Sequence, residues 1–547
     1  VAFTLELVQM KPTAITLRTL TLTLTLAAGH SLAVGAERTI LASRDLGGLP
    51  ADALANAAAI SGNGRFVAFT SDADNLTGDA AAAFPRVFVF DTETNLTTAI
   101  TVGVLNAAPN NSSEAPGISA DGRFVVFYSD ATNLDLINTP TSAHPGWPQC
   151  YIHDRQTGTT ELVSLSGIGA WGNDNSVDSG YPPAVSDDGR FVAFVSRANN
   201  LVSGGVFRTQ VYLRDRGDAA NGIPAETFLI SVASGTSVAS NLSAGLPKLT
   251  VANGQVFIAY RGTSNNIVPG DTNTAADIFL GSFTLRTPGN FSTSLANTRV
   301  STTASGGQAG GISRAPDISD DGNLVVFASR ATNLDPLGGD ANGNYDVFIK
   351  RIDTGAIRRI SNSSDGDAAF GFSDDPVISG DGSTVAFQSN SPNLIDGDTN
   401  GQLDAYVYSV ATQTLSRVSL ADNGEQSPGG GAFPAISNDG RFVAFESTSS
   451  LTSVATTVSN VYIRDRNAPG TGCLADVANT DGDPTPDGVV DNGDFQAFFA
   501  AFFLTPGDPA QLVADVANTD GDPTPDGVVD NGDFQAFFAA FFACVGG

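Results

Sequence analysis

Histidine, cysteine, methionine and tryptophan are nearly missing from this chain: 547 residues hold 3 His, 3 Cys, 1 Met and 2 Trp. Three histidines are too few for a histidine-rich metal centre and thin for a Ser-His-Asp set, and only His144 and His153 lie beyond the first 36 residues. The sequence carries neither a Gly-x-Ser-x-Gly elbow nor a phosphate-cradling P-loop. Positive charge is equally short. The balance of 27 Lys plus Arg against 57 Asp plus Glu gives a net charge of −30, which opposes binding to nucleic acid and to anionic membrane surfaces. No stretch reaches the roughly 18 unbroken apolar residues of a membrane span.

What the chain does have is repetition. A 41% apolar composition with 59 Gly suits a globular, turn-rich, all-β body. The pattern Ile60-Ser-Gly-Asn63-Gly64-Arg-Phe-Val-Ala-Phe69 returns around Asp121-Gly122, Asp188-Gly189, Asp321-Gly322, Asp381-Gly382 and Asp439-Gly440, with a worn copy at Asn253-Gly254. Seven copies about 63 residues apart suit seven four-stranded blades. Asx-Gly between apolar β-formers predicts a two-residue type I′ hairpin joining the first two strands of each blade. Third strands are expected over 87–90, 150–153, 211–214, 278–280, 347–350, 406–408 and 461–464. The last copy stops after its third strand, while 38–43 supplies a spare fourth. One completes the other and closes the ring, removing open sheet edges. The body is therefore expected to be an all-β seven-bladed β-propeller over 37–466, acting as a monomer. His153 falls in a third strand where other copies place Arg, which favours a blade-surface role, and Cys150 reads as a core residue.

The motif Ser-x-Asp-Gly-Arg-Phe-Val-Ala-Phe-x-Ser, followed by a strand ending Tyr-x-Arg-Asp, resembles the TolB-like, WD-type propeller repeats of exported bacterial proteins. The resemblance implies the fold and export, and leaves function open, since propellers host binding proteins and enzymes alike. Three copies also carry Asp-x-Asn-x-x-x-Asp before the third strand: Asp271, Asn273, Asp277; Asp340, Asn342, Asp346; Asp398, Asn400, Asp404. These oxygens could begin a calcium site or serve as Asx-turn acceptors for their own backbone.

The C-terminal part is of a different kind. A 29-residue stretch, ADVANTDGDPTPDGVVDNGDFQAFFAAFF, occurs twice, at 475–503 and 514–542, within a 75-residue segment holding 13 Asp and no Lys, Arg or Glu. Such uncompensated charge calls for cations. The twelve-residue calcium loop places ligands at Asp483, Thr485, Asp487, the Val489 carbonyl, Asp491 and Asp494, and again at Asp522, Thr524, Asp526, the Val528 carbonyl, Asp530 and Asp533. A looser register recruits Asp476, Asn479 and Asp481, with Asp515, Asn518 and Asp520 in the second copy, and the sequence does not choose between them. Phe495, Phe498, Phe499, Phe502 and Phe503 form one apolar helical face after the first loop. A small α-helical domain of two calcium-loop-helix, EF-hand-like units with two calcium ions is expected over 473–547, after a linker at 467–472. Cys473 and Cys544 bracket it, and a disulfide between them would suit an oxidising compartment.

Two such units in tandem resemble the dockerin family, on the runs Asp487-Gly-Val-Val-Asp491-Asn-Gly-Asp494 and Asp526-Gly-Val-Val-Asp530-Asn-Gly-Asp533. In dockerins, loop positions 10 and 11 help select a cohesin partner. The resemblance thus implies a cohesin-like or cell-surface protein partner, touched through Asn492, Gly493, Asn531 and Gly532.

At the other end, Met10-Lys11, Arg18, the uncharged run 19–28 and Ala33-Val34-Gly35-Ala36 read as a signal peptide ending near residue 36, with the residues ahead of Met10 as an upstream extension. A first strand in this region is the competing reading. The whole sequence is expected to be a secreted, noncatalytic binding or surface-display protein. The alternative is a secreted carbohydrate-active hydrolase or lyase acting on polysaccharide, with the acidic module as a localising tail.

Overall fold

The computed structural model describes residues 4–11, 14–21 and 37–466, apart from short loop positions at 79–82, 105–106, 135, 138–143, 145, 177–180, 234–235, 289, 291–293, 337–341, 364–365 and 367–368. The chain divides into two units, Glu37–Asn467 and a second made of Val1–Ala36 with Ala468–Gly547. In the second, Thr4–Lys11 pairs antiparallel with Ala14–Thr21. Both calcium loops, their alternative ligands, Cys473, Cys544 and the Asn-Gly pairs lie outside the described residues. Among the described residues no helix is long and apolar enough to cross a membrane.

Glu37–Asn467 holds seven antiparallel four-stranded sheets, one per sequence repeat, and they form a β-propeller. In blade 1 the strands are Ala55–Ile60, Phe66–Ser71, Arg86–Asp91 and Leu96–Ala99. All seven third strands expected from the sequence are present. In blade 7, Arg38–Leu41 pairs with Asn460–Asp465, Arg38 opposite Asp465 and Leu41 opposite Tyr462, so the N-terminal strand closes the ring.

Each blade is held by an aromatic pair between its second and third strands, stacked in six blades and tilted in the fourth. Phe69 lies over Phe88, Phe127 over Tyr151, Phe194 over Tyr212, Tyr260 over Phe279, Phe327 over Phe348, Phe387 over Tyr406 and Phe445 over Tyr462, with centroids 5.6–6.1 Å apart. These rings alternate with Val and Ile on strands buried on both faces, so the core lies between neighbouring blades. Each buried ring contributes about 1.5–3 kcal/mol.

The hairpin turns differ from expectation in six of the seven copies. Only at Asn253-Gly254 do both residues take positive φ, 51° and 75°, directly between the paired Ala252 and Gln255. Elsewhere the glycine alone is left-handed and the loop is longer. The cause is the serine that begins each motif. In blade 1, Ser61 Oγ donates to Asn63 Oδ1 (2.6 Å) and accepts from the Phe66 amide (2.9 Å), while the Gly64 amide donates to the Ser61 carbonyl. That side-chain network stabilises a four-residue loop over the two-residue turn.

In the Arg-Phe pair after the turn, the arginine ties strands of its own blade and the phenylalanine reaches the next blade. Arg65 makes a bidentate pair with Asp91 at the end of the third strand, as Arg123 does with Asp154, Arg190 with Asp215 and Arg441 with Asp465, at 2.7–3.1 Å. Phe66 packs so closely under Gly122 of the next blade that a Cβ there would meet its ring at 2.1 Å.

Candidate functional site

The first strand of every blade lines a cavity of about 670 Å³ on the propeller axis, a volume in the range of small-ligand sites. These strands are interrupted. Register shifts fall between Asn56 and Ala59, Glu114 and Gly117, Gly245 and Lys248, Arg314 and Asp317, Asp374 and Val377, and Ala432 and Ala435. Within each bulge a non-glycine residue takes positive φ: Ala57, Ala115, Leu246, Ala315, Asp375 and Phe433, at 46–56°. That conformation is strained for residues bearing a Cβ. Five of the six precede a proline, which has no amide hydrogen to lose from the ladder. Pro116, Pro247, Pro316, Pro376 and Pro434 thereby form much of the apolar cavity wall.

Set into that wall are carboxyl groups. Glu446, on the second strand of blade 7, accepts the Ala57 amide hydrogen of blade 1 at 2.6 Å, and burial still pushes its carboxyl up to about 7. Asp317 accepts from the Ile378 amide at 2.9 Å, and burial raises it against the pull of the Lys248 ammonium. Asp375 is raised by burial too, although the Arg314 charge, a bond from the Tyr181 hydroxyl (3.4 Å) and Lys248 favour its ionised form. Gln388 bridges this part of the wall, donating to Asp375 at 2.7 Å and accepting from the Phe433 amide at 2.9 Å. Glu114 is raised by desolvation and then by Asp130.

At the hairpin-turn end the cavity narrows. The Asn63, Asp320, Asp381 and Asn438 amides donate to the Ala120, Gly380, Asn438 and Gly62 carbonyls across blade boundaries, at 2.8–3.1 Å. Asn438 Nδ2 reaches Asp320 at 2.9 Å, past Gly380, where a Cβ would lie 2.2 Å from the Asp320 carboxylate. Desolvation, then repulsion from Asp187 and Asp317, holds Asp320 up to about 6.

The Asp-x-Asn sets lie away from the axis. Asn273 Oδ1 accepts from the Ala275 amide, and its amide group donates to the Ala309 carbonyl. Asn400 donates to Asp404 (3.0 Å), and Asn342 to Asp346 (3.1 Å); Asp340 lies outside the described residues. The Arg299 guanidinium sits 3.4 Å from Asp271 and 3.5 Å from Asp277, and Arg417 sits 3.6 Å from Asp398 and 3.9 Å from Asp404. The positive charge beside each carboxylate pair is thus an arginine of the same protein. Asp271 and Asp277 share Gln308, as Asp398 and Asp404 share Gln426. His153 bonds Thr160 on the neighbouring strand at 3.0 Å, and burial lowers its imidazole to about 4.

The cavity residues were not among the sequence-predicted sites, yet two signals point to them. Proline stands three residues before the serine in Pro116, Pro183, Pro316, Pro376 and Pro434, and proline inside a strand marks a bulge. The second signal is the most variable position in Phe-Val-Ala-Phe-x-Ser, at which Thr70 and Glu446 line the cavity. It reads Thr70, Tyr128, Val195, Arg261, Ala328, Gln388 and Glu446 around the ring.

No family model matches the chain, and no curated protein matches it. Among solved structures, the chain is similar to an oligogalacturonate lyase from Vibrio parahaemolyticus at 12% identity, over 85% of this chain and 97% of that one, with a TM-score of 0.39. It is also similar to TolB from Acinetobacter baumannii at 14% identity, over 65% of this chain and 63% of that one, with a TM-score of 0.33. The β-propeller assignment rests on the seven closed sheets themselves.

Proposed function

We propose that this is an exported, noncatalytic binding protein. Its propeller takes a ligand in the axial cavity, and its acidic C-terminal segment, loaded with two calcium ions, attaches it to a cohesin-like or cell-surface protein. The observation that supports this most is the cavity itself: a bulged, proline-walled pocket whose carboxyl groups are held by amide hydrogens and left for a ligand to engage. Neither described histidine lines it, and neither does the buried Cys150, so a nucleophile–base pair has little to draw on there.

One observation favours the second reading, a carbohydrate-active hydrolase or lyase. Glu446 with a value of about 7 is poised to give a proton near neutral pH, among other carboxyl groups. Incubating the full-length protein with a panel of polysaccharides, while following both binding by calorimetry and product formation, decides between them. The binding reading expects heat of binding with intact polymer or no polymer interaction, and turnover lost in Glu446→Gln would replace it with the enzymatic one. The attachment role is tested separately by titrating the full chain with calcium. A rise in thermal stability of the 473–547 region is expected, and indifference to both calcium and chelator would remove that part.

A further inference from the structure

The chemical class of the ligand follows from what lines the cavity, an inference that rests on the axial cavity being the binding site. Six acidic side chains, Asp72, Glu114, Asp317, Asp320, Asp375 and Glu446, face a single cationic one, Lys248. An anion is therefore disfavoured and a cation favoured. Among the described residues no three His, Cys, Asp or Glu side chains are grouped as metal ligands, and the walls between the carboxyls are proline, alanine and leucine, with Phe433 52% exposed. Such a lining suits a cation carried on an apolar stem better than a bare ion.

A second, independent observation places the cation. Thr70 is 7% exposed and lines the cavity, and its hydroxyl oxygen is buried with no hydrogen-bond partner. A buried hydroxyl left unbonded costs on the order of 1–3 kcal/mol, so a partner is expected in function. Thr70 and Glu446 flank one bulge: Thr70 pairs with Asn56 across the strands, and the next residue, Ala57, gives its amide hydrogen to Glu446.

We infer that the axial cavity binds a small organic amine, its ammonium donating to the Glu446 carboxylate and, once the Thr70 side chain turns about χ1 to face the cavity, to the Thr70 hydroxyl, with its methylene stem against the proline wall. The Lys248 charge acts on Asp317 and Asp375, whereas among the described residues no cation acts on Glu446, which leaves the Glu446 end for the ammonium.

The test is calorimetry on the full-length protein at pH 8, where Glu446 is ionised, with 1,5-diaminopentane as probe and pentane-1,5-diol and glutarate as neutral and anionic probes of similar length. The diamine should bind, and the diol and glutarate should bind at least roughly tenfold more weakly, since a hydrogen bond to a charged group carries that much. Glu446→Gln, which keeps an acceptor for the Ala57 amide, should weaken the diamine about tenfold or more, and Thr70→Val about threefold to tenfold. Unchanged circular dichroism and a melting temperature no lower than that of the wild type would show that both variants fold. Ala58→Trp, which fills the cavity, should abolish binding of every probe.

Equal binding of diol and diamine, lost in Ala58→Trp, would overturn the amine assignment and keep the cavity. Diamine binding unaffected by Ala58→Trp would overturn the cavity reading itself. Diamine binding lost in Ala58→Trp but unmoved by Glu446→Gln and Thr70→Val would overturn the placement of the ammonium. Failure of the diamine to bind would overturn the inference outright. A lysine-containing peptide run alongside separates free amines from protein side chains as the source.

Discussion

The carboxyl group meets opposite fates at the ends of the third strands and at the propeller axis. At the ends of the third strands, Asp154 is held down to about 2, first by its bonds from Arg123, and the fully buried Asp215 is held below the usual range by Arg190 and Arg286 despite its burial. At the axis, Glu446 stands at about 7, and Asp317 and Asp375 are raised as well, with backbone amides, Gln388 and a shared Lys248 about them. Local geometry explains the difference. Two chain segments that turn next to each other can meet Arg with Asp in a fork-to-fork pair. Strands converging on an axis bring carboxyls together with amide and hydroxyl donors but, among the described residues, no guanidinium fork. The strand-end carboxylates are saturated by a guanidinium fork from within the fold, and the axial ones, which lack such a fork, are where something from outside can bind.

Removing a saturated carboxylate should therefore do the most damage. Asp215→Ala leaves Arg190 without its anion and the 1%-exposed Arg286 with only the half-exposed Glu226, and urea unfolding should show a loss of about 3–5 kcal/mol. A loss below about 1 kcal/mol would dissolve the contrast. Gly380→Ala comes next. Its Cβ would press on the Asp320 carboxylate and the Asn438 side chain in the narrowed turn end, and a loss of about 1–3 kcal/mol is expected in the same assay.

Glu446→Gln should move the other way. With its ordinary value of 4.5 raised to about 7, the native state keeps a proton that the unfolded chain releases between those limits. Its contribution to stability is whole below pH 4.5 and is lost as the pH rises through 7. The glutamine variant should thus match the wild type near pH 4 and exceed it at pH 8, by on the order of 1–2 kcal/mol. Asp154 obeys the reverse sign: lowered to about 2, it supports stability above its ordinary value of 3.8, and that support fades as pH falls through 2. A wild-type stability profile against pH should therefore decline on the acid side through the blade carboxylates and soften toward pH 8 through the axial ones. Smallest of all, Pro316→Ala should cost less than about 1 kcal/mol, because the bulge keeps its register while the proline only restricts the unfolded chain.

Much of the blade body was legible in the sequence, because a repeat announces itself and a spare strand at 38–43 declares where the ring closes. The exceptions have physical causes. The two-residue turn expected at Asx-Gly gives way because Ser61 and its counterparts act through a side chain two residues upstream of the Asx. The Arg65–Asp91 clasp spans 26 residues, and nothing local announces it. The axial site belongs to no single repeat. Thr70 and Glu446 are unremarkable alone and share a wall only when the blades meet, so their trace in the sequence is the position at which otherwise similar copies disagree most. Arg299 and Arg417, which stand beside the Asp-x-Asn pairs, lie on later strands and were likewise invisible to a spacing argument.

The central claim is that the unsaturated axial carboxylates exist to meet a cation. Its most direct test is the titration of Glu446 itself, followed by carbon-13 NMR of glutamate-labelled protein and assigned by the signal lost in Glu446→Gln, with and without saturating 1,5-diaminopentane. Alone, the carboxyl should titrate near 7. With the amine bound it should fall below about 5, because an adjacent positive charge favours the ionised form. A midpoint near 7 in both samples would contradict the account.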